Sequence, residues 1–325
     1  MAGRFLARRL LQAAPTIFLI ITACFFLLRL APGDLAQIMA GEAGAAPPGY
    51  VEELRVRFGL DLPLYVQYGH YLARLAMLDM GYSFRHEQPV LELVLERLWP
   101  TLLLGGTSLF IAIAGGTALG TLAALRHNRL TDRLISFLSL VAYAAPTFWL
   151  GLMMIIVFGV QLGWLPTGGM MPLGPSPGGW ATVLAVLRHL LLPALSLSLF
   201  YMALYVRLSR TAVLEVLKQD YVRTAASKGI SRAQTLRRHV LPNAITSVLS
   251  LAGVHVGGLI GGAVFVETVF GWPGLGRLAF EAMLQRDYNL LMAVLLFSSL
   301  LVVATNIVVD LLYRVFNPRM SGDPS

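Results

Sequence analysis

The sequence predicts an all-α integral membrane protein with six transmembrane helices and both termini in the cytoplasm. Of its 325 residues, 57% are hydrophobic and only 13% are charged; a soluble domain carries about a quarter charged residues. Six stretches lack Asp, Glu, Lys and Arg and can cross about 30 Å of hydrocarbon as helices: Leu10 to Leu28, Leu98 to Leu125, Leu134 to Leu165, Leu190 to Val206, Ala244 to Val266 and Tyr288 to Val309. Backbone polar groups in lipid must be satisfied within the span, and the alternation of barrel strands is absent, so these are helices. Orientation comes from charge. Sixteen of the 25 basic residues fall at the start, in Arg126 to Arg133, in Arg207 to Asn243 and in the tail. Short basic connections stay on the cytoplasmic side.

In chain order, the first span is retained: it outruns a signal-peptide core, and Pro32-Gly33-Asp34 follows it where a small-residue cleavage site would stand. It holds the single cysteine, Cys24, so no disulfide forms within the chain. A long outer segment to about Trp99 follows. It contains a turn at Pro47-Pro48-Gly49, a short charged helix at Val51 to Phe58, and a helix within Pro63 to Met80. The last of these places Leu64, Tyr68, Tyr71, Leu72, Leu75 and Leu78 near helical spacing, and packing on the outer ends of the spans suits it better than a lipid anchor. Pro146 should kink span three. Leu165 to Gly179 reads as an outer loop, and span four holds Pro193 near its outer end.

Span five repeats glycine every four residues at Gly253, Gly257 and Gly261, and again at Gly258 and Gly262. Such spacing lets helix backbones approach closely. Packing within the chain, a face on a partner subunit and a wall of a pathway all remain open, and Gly120 in span two serves as the neutral comparison. His255, mid-span, either bonds a neighbouring helix or meets a pathway. The string Glu267 to Gly276 is either a plain outer loop or a short re-entrant segment.

No catalytic or metal-binding constellation stands out. The two lysines, Lys218 and Lys228, do not follow glycines, so the chain lacks a phosphate-binding loop and any ATP hydrolysis belongs to another polypeptide. All 17 acidic residues lie outside the six spans. This disfavours the alternative of an ion-coupled secondary transporter or channel, which needs ionisable groups in the membrane. Basic residues at span ends, not on one soluble face, also argue against nucleic acid.

The polar island Arg207 to Asn243 carries eight basic residues between two apolar runs. It and other strings resemble the permease subunit of ABC importers of the dipeptide, oligopeptide and nickel class. The strings are Met80-Gly81-Tyr82-Ser83-Phe84, Ala145-Pro146-Thr147-Phe148-Trp149-Leu150-Gly151, Leu162 to Gly169, Asp220-Tyr221-Val222-Arg223-Thr224-Ala225, Glu267 to Gly276, and Asn317-Pro318-Arg319. The general inner-loop pattern of importer permeases is Glu-Ala-Ala, three residues, Gly, nine residues, Ile, one residue, Leu-Pro. Aligned on Gly229, it puts Glu-Ala-Ala on Arg223-Thr224-Ala225, Ile on His239 and Leu-Pro on Leu241-Pro242. The Glu and the Ile are absent, a variant resembling the peptide-importer branch.

The resemblance implies a type I importer permease fold in the bacterial inner membrane. Residues 1–98 would form the first span and outer segment, 99–317 a five-helix core, and 318–325 a tail. It implies half of a translocation pathway beside a second, similar permease. Two cytoplasmic ATPases holding ATP-Mg would drive it, an outer solute-binding protein would deliver substrate, and this chain would bind no cofactor. Asp220, Tyr221, Arg223, Thr224, Ala225, Gly229, Leu241 and Pro242 would dock an ATPase, with the helix before Gly229 lying in a groove. Peptides, glutathione, opines, sugars and metal chelates stay open as substrates.

Overall fold

Apolar runs that must satisfy their own backbone in lipid coil into helices. The computed structural model describes residues 2–29, 36–37, 49–57, 59–172, 174–175, 178–245, 248 and 263–316, with side chains left aside at 2–10, 27–29, 226 and 309–316. In order come α1 (Ala2–Arg29), α2 (Tyr50–Arg57), α3 (Leu64–Ala76), β1 (Tyr82–Ser83), β2 (Gln88–Pro89), α4 (Val90–Leu125), α5 (Leu130–Ala144) and α6 (Thr147–Met154). Then come α7 (Gly179–Leu217), α8 (Asp220–Ser227), α9 (Arg232–Thr235), α10 (263–269), α11 (Leu275–Leu284) and α12 (Tyr288–Phe316). Among the described residues, α4, α7 and Tyr288–Val308 of α12 are long and apolar enough to cross a membrane, and the apolar part of α1, Leu11–Phe26, is shorter.

Span three is broken where a kink was expected. The residue before a proline is pushed out of the helical region. Ala145 takes ψ 135° and Pro146 ψ 136°, so two successive residues leave the helix. Leu130–Ala144 and Thr147–Gln161 then meet at 108°. Residues Ile155–Gln161 continue α6 in wider π-helical turns. By contrast α7 runs through Pro193 for 39 residues, about 58 Å at 1.5 Å per residue. It outruns the hydrocarbon, and positions 207–217 of the basic island are its continuation, not a loop.

Two units emerge from Cα proximity: Met1–Trp99 with Leu278–Leu301, and Pro100–Arg277 with Val302–Ser325. In the first, α3 packs on α1 through aromatic rings. Phe25 lies 5.2 Å from Tyr68 and 5.5 Å from Tyr71 between centroids, and Thr22 and Tyr68 share a hydrogen bond of 2.6 Å. The Met80 to Phe84 string forms one arm of a small antiparallel hairpin, Tyr82 opposite Pro89 and Ser83 opposite Gln88. Two residues per strand are too few to show an alternation in sequence. Ser83 donates to Asp287, which also accepts the Leu290 amide at the start of α12. Arg74 holds the half-exposed Asp79 at 3.0 Å and, by that hydrogen bond first, keeps its carboxyl below the usual range.

The second unit has a core of Leu104, Leu192, Leu197, Tyr201, Tyr205, Val266, Phe270 and Trp272. Here α4 and α7 touch backbone to backbone. A Cβ on Gly116 would stand 2.5 Å from Cβ of Tyr205, and one on Gly120 would stand 2.5 Å from the Val206 carbonyl oxygen. Gly120 is therefore a close-contact position and no neutral comparison. The small-residue logic expected of span five operates in span two.

Candidate functional site

The segment expected to dock begins at Asp220, three residues after α7 ends. Its amphipathic helix α8 turns Val222 and Ala225 inward and leaves Tyr221, Asp220 and Arg223 outside, the last two with side chains 99% and 73% exposed. Thr224 folds its hydroxyl back onto the Asp220 carbonyl at 2.9 Å, so it trims the helix and offers no free donor outward. Gly229 ends α8 at φ +77° with open space around its Cα. The requirement for glycine there comes from backbone conformation, not crowding. Ser231 then caps α9 by accepting the Gln234 amide.

The chain reaches Leu241-Pro242 through five residues of π-helical turn, Leu236–Val240. These sit just before a proline that has no N–H to give to the carbonyl four residues back. Helix continues past Pro242 to 245. Pro242 lies inside a helix and does not mark its start. Val222, Val240 and Ala244 pack with Ala212 and Val213 of α7 and Ala124 of α4 into one small apolar cluster. The segment is thus seated on the ends of two long helices, with Lys228, Arg237, Arg238 and His239 outside the buried set.

Next to that seat lies an ion pair with a buried carboxylate that sequence reading missed. Asp132, in the first turn of α5, has a side chain 4% exposed. Arg210 of α7 grips both its oxygens, Nε to Oδ1 at 2.7 Å and a terminal nitrogen to Oδ2 at 2.9 Å. The Asn128 amide donates to Oδ2 at 2.9 Å, and His127 Nδ1 lies 3.3 Å from it. The hydrogen bond from Arg210 is the main reason that the Asp132 carboxyl is held well below the usual carboxylate range; burial opposes it and the Asn128 amide adds to it. Arg210 is pushed up in turn. A lone acidic residue among the three arginines of a short connection was the available signal.

A second node gathers strings that looked separate in sequence. Glu267, fully buried in α10, accepts from Thr101 Oγ1 at 2.8 Å and from the Arg277 amide at 3.0 Å. Thr101 accepts the Leu275 amide at 2.8 Å, and the Trp272 indole donates to the Pro100 carbonyl at 2.9 Å. The Gly169 amide donates to the Phe270 carbonyl at 2.7 Å, and a Cβ on Gly151 would stand 3.0 Å from the Phe270 ring. A Cβ on Gly274 would collide with the Glu267 carboxylate. The glycines of the string thus make room for its own glutamate, which caps the start of α11. Gly253, His255, Gly257, Gly258, Gly261 and Gly262 lie outside the described residues.

A basic, helical segment is thus seated on the ends of long apolar helices, and comparison with known proteins shows the family. Residues 116–322 match the model of the binding-protein-dependent transport system inner membrane component, and residues 2–105 match the N-terminal model of such membrane components. The chain belongs to this family. The permease is 40% identical over 323 residues, 99% of this chain and all of the relative, to a peptide transport system permease protein of Brucella melitensis biotype 1. It is 39% identical to a di/tripeptide transport system permease protein of Pseudomonas aeruginosa (strain UCBPP-PA14), covering 97% of this chain and 98% of that one. It is 38% identical, with the same coverage, to the glutathione transport system permease protein of Escherichia coli (strain K12). Among solved structures, the MetNI methionine ABC transporter in inward-facing form aligns with TM-score 0.56 at 19% identity, over 70% of this chain and 98% of that chain. This last likeness concerns the fold alone. The permease is a multi-pass inner-membrane subunit of an ABC importer.

Proposed function

We propose that this permease forms half of the translocation pathway for peptides or related small solutes. It spans the membrane six times with both termini in the cytoplasm. A second homologous permease completes the pore, an extracytoplasmic binding protein delivers substrate, and two cytoplasmic ATPases carrying ATP-Mg drive the cycle. The observation that carries the reading is α8. It is an amphipathic helix with its apolar side spent on α7 and α4 and its outer side free, ended by a glycine that only a left-handed turn requires. Asp220, Tyr221, Arg223, Thr224, Ala225 and Gly229 form the arm, and Leu241 and Pro242 its return. ATP binding closes the ATPase pair and moves the arms. The permeases then rock from inward-open to outward-open and receive substrate, and hydrolysis resets them. The peptide assignment rests on the likeness to peptide, di/tripeptide and glutathione permeases.

Uptake into vesicles containing the whole complex tests this, with the cognate binding protein and a panel of dipeptides, tripeptides, glutathione, opines, sugars and metal chelates. Accumulation should need ATP and survive collapse of proton and sodium gradients. Accumulation driven by an imposed ion gradient without ATP would favour a secondary transporter and sink the proposal.

A further inference from the structure

The ion pair Asp132–Arg210 stands at one end of a long antiparallel contact. Asp132 faces Arg210, Tyr143 stacks on Phe200 at 5.1 Å, and Ser196 donates to the Thr147 carbonyl at 3.2 Å. So α5 and the start of α6 are tied to α7 on both sides of the Pro146 break. On its other face α7 is locked to α4 at Gly116 and Gly120, the latter beside Arg210 itself, whose backbone nitrogen would lie 3.0 Å from an added Cβ. Beyond Arg210, α7 stays helical to Leu217, and the docking arm follows after Lys218-Gln219.

We propose that the Asp132–Arg210 pair is the joint through which movement of the docking arm reaches α5 and the broken helix beyond it. This rests on the docking reading of α8. Three observations carry it. The grip is two-pronged, and a guanidinium fork on a carboxylate fixes rotation as well as distance. The carboxylate is sequestered at 4% exposure and Arg210 is 27% exposed, against 54% and 56% in the Arg74–Asp79 pair, so water loosens the grip less. Finally, Asp132 already receives the Asn128 amide that closes its own turn. Arg210 is therefore not needed to form the turn; it links the turn to α7. Arg210 is a positioning residue, and the charge it would offer the cytoplasmic face is spent on Asp132.

The test uses the whole complex with its ATPases and binding protein. Spin labels at Phe137 on α5 and Leu102 on α4, both exposed, report movement of α5. In the native pair, ATP with vanadate should shift that distance by several Å. In Arg210→Lys, which keeps the charge and loses the fork, and in Asp132→Asn, the shift should vanish. Solute moved per ATP should fall at least tenfold for the panel member that the uptake assay identifies, while hydrolysis continues. Asp132→Glu should restore part of both. A native-sized shift with unchanged yield per ATP in Arg210→Lys would overturn the joint. So would losses of transport and hydrolysis that merely track the amount of assembled complex. Cross-linking from Tyr221→Cys to an ATPase separates the two readings. Without it in the otherwise native chain the docking reading itself fails; with it present and coupling unchanged, only the joint fails.

Discussion

At the residue scale, three residues are held by reasons specific enough to predict from. Gly229 sits at φ +77° in open space, so a substituent costs conformation and not room. A left-handed backbone costs an ordinary residue about 1–2 kcal/mol, more for a branched one, while asparagine tolerates it. Gly229→Val should abolish most transport in the reconstituted complex, and Gly229→Asn should keep most of it; equal activity of the two would remove the turn from the mechanism. Gly274 faces the Glu267 carboxylate with no space for a Cβ. Gly274→Ala should lower stability by about 1–3 kcal/mol, as overpacking does, read as an earlier melting transition in detergent. For Asp132, the folded carboxyl titrates below its unfolded value of about 3.9. Its contribution is complete above that value and is lost as pH falls through the folded one. Stability should not change on its account between about pH 5 and 8. Asp132→Ala, which leaves a partly buried guanidinium without its carboxylate, should lower stability at neutral pH by about 1–3 kcal/mol and flatten the acid limb of the melting profile.

At the element scale, the close contact of α4 with α7 is the feature to disturb. Gly116 and Gly120 have no room for a Cβ, whereas Gly105 and Gly106 on the same helix meet nothing within 4 Å. Gly120→Leu should impair assembly and transport more than Gly105→Leu, measured as complex recovered from membranes and uptake per complex. Equal recovery would show that α4 can shift without consequence. Gly257→Leu and Gly261→Leu in span five should also impair transport, now with Gly105 as the reference. Loss of association with the partner permease would mark a seam there, and normal association with lost transport a pathway or gate. The bent pair α5–α6 belongs to this scale as well. Pro146 alone suggested a kink, but Ala145 before it is forced extended too, and two extended residues turn an axis much further than one missing hydrogen bond.

At the scale of the whole molecule, the chain divides its labour. In the proposed importer the apolar helices and the segment after the first span hold place, and the chemistry of energy conversion lies in other subunits. Transport that needs ATP and ignores ion gradients is the outcome that this division requires. Among the described residues no group of three or more His, Cys, Asp or Glu could hold a metal ion.

What the sequence determined alone was everything that follows from local composition. Uncharged runs of membrane length favour helices, a helix ending before Gly229 was expected, and the Tyr68–Tyr71 face was expected to pack on the ends of the spans. The strings of the permease family were legible for the same reason, since a string needs no partner to be read. Only tertiary structure decided which distant residues meet. Asp132 lies 78 positions from Arg210, and Thr101 lies 166 from Glu267. Nothing in their flanking residues names the other, because a buried charge is satisfied by whatever the fold brings within 3 Å. The same holds for Gly120. A glycine marks a possible close approach, but the carbonyl that makes it compulsory belongs to another helix.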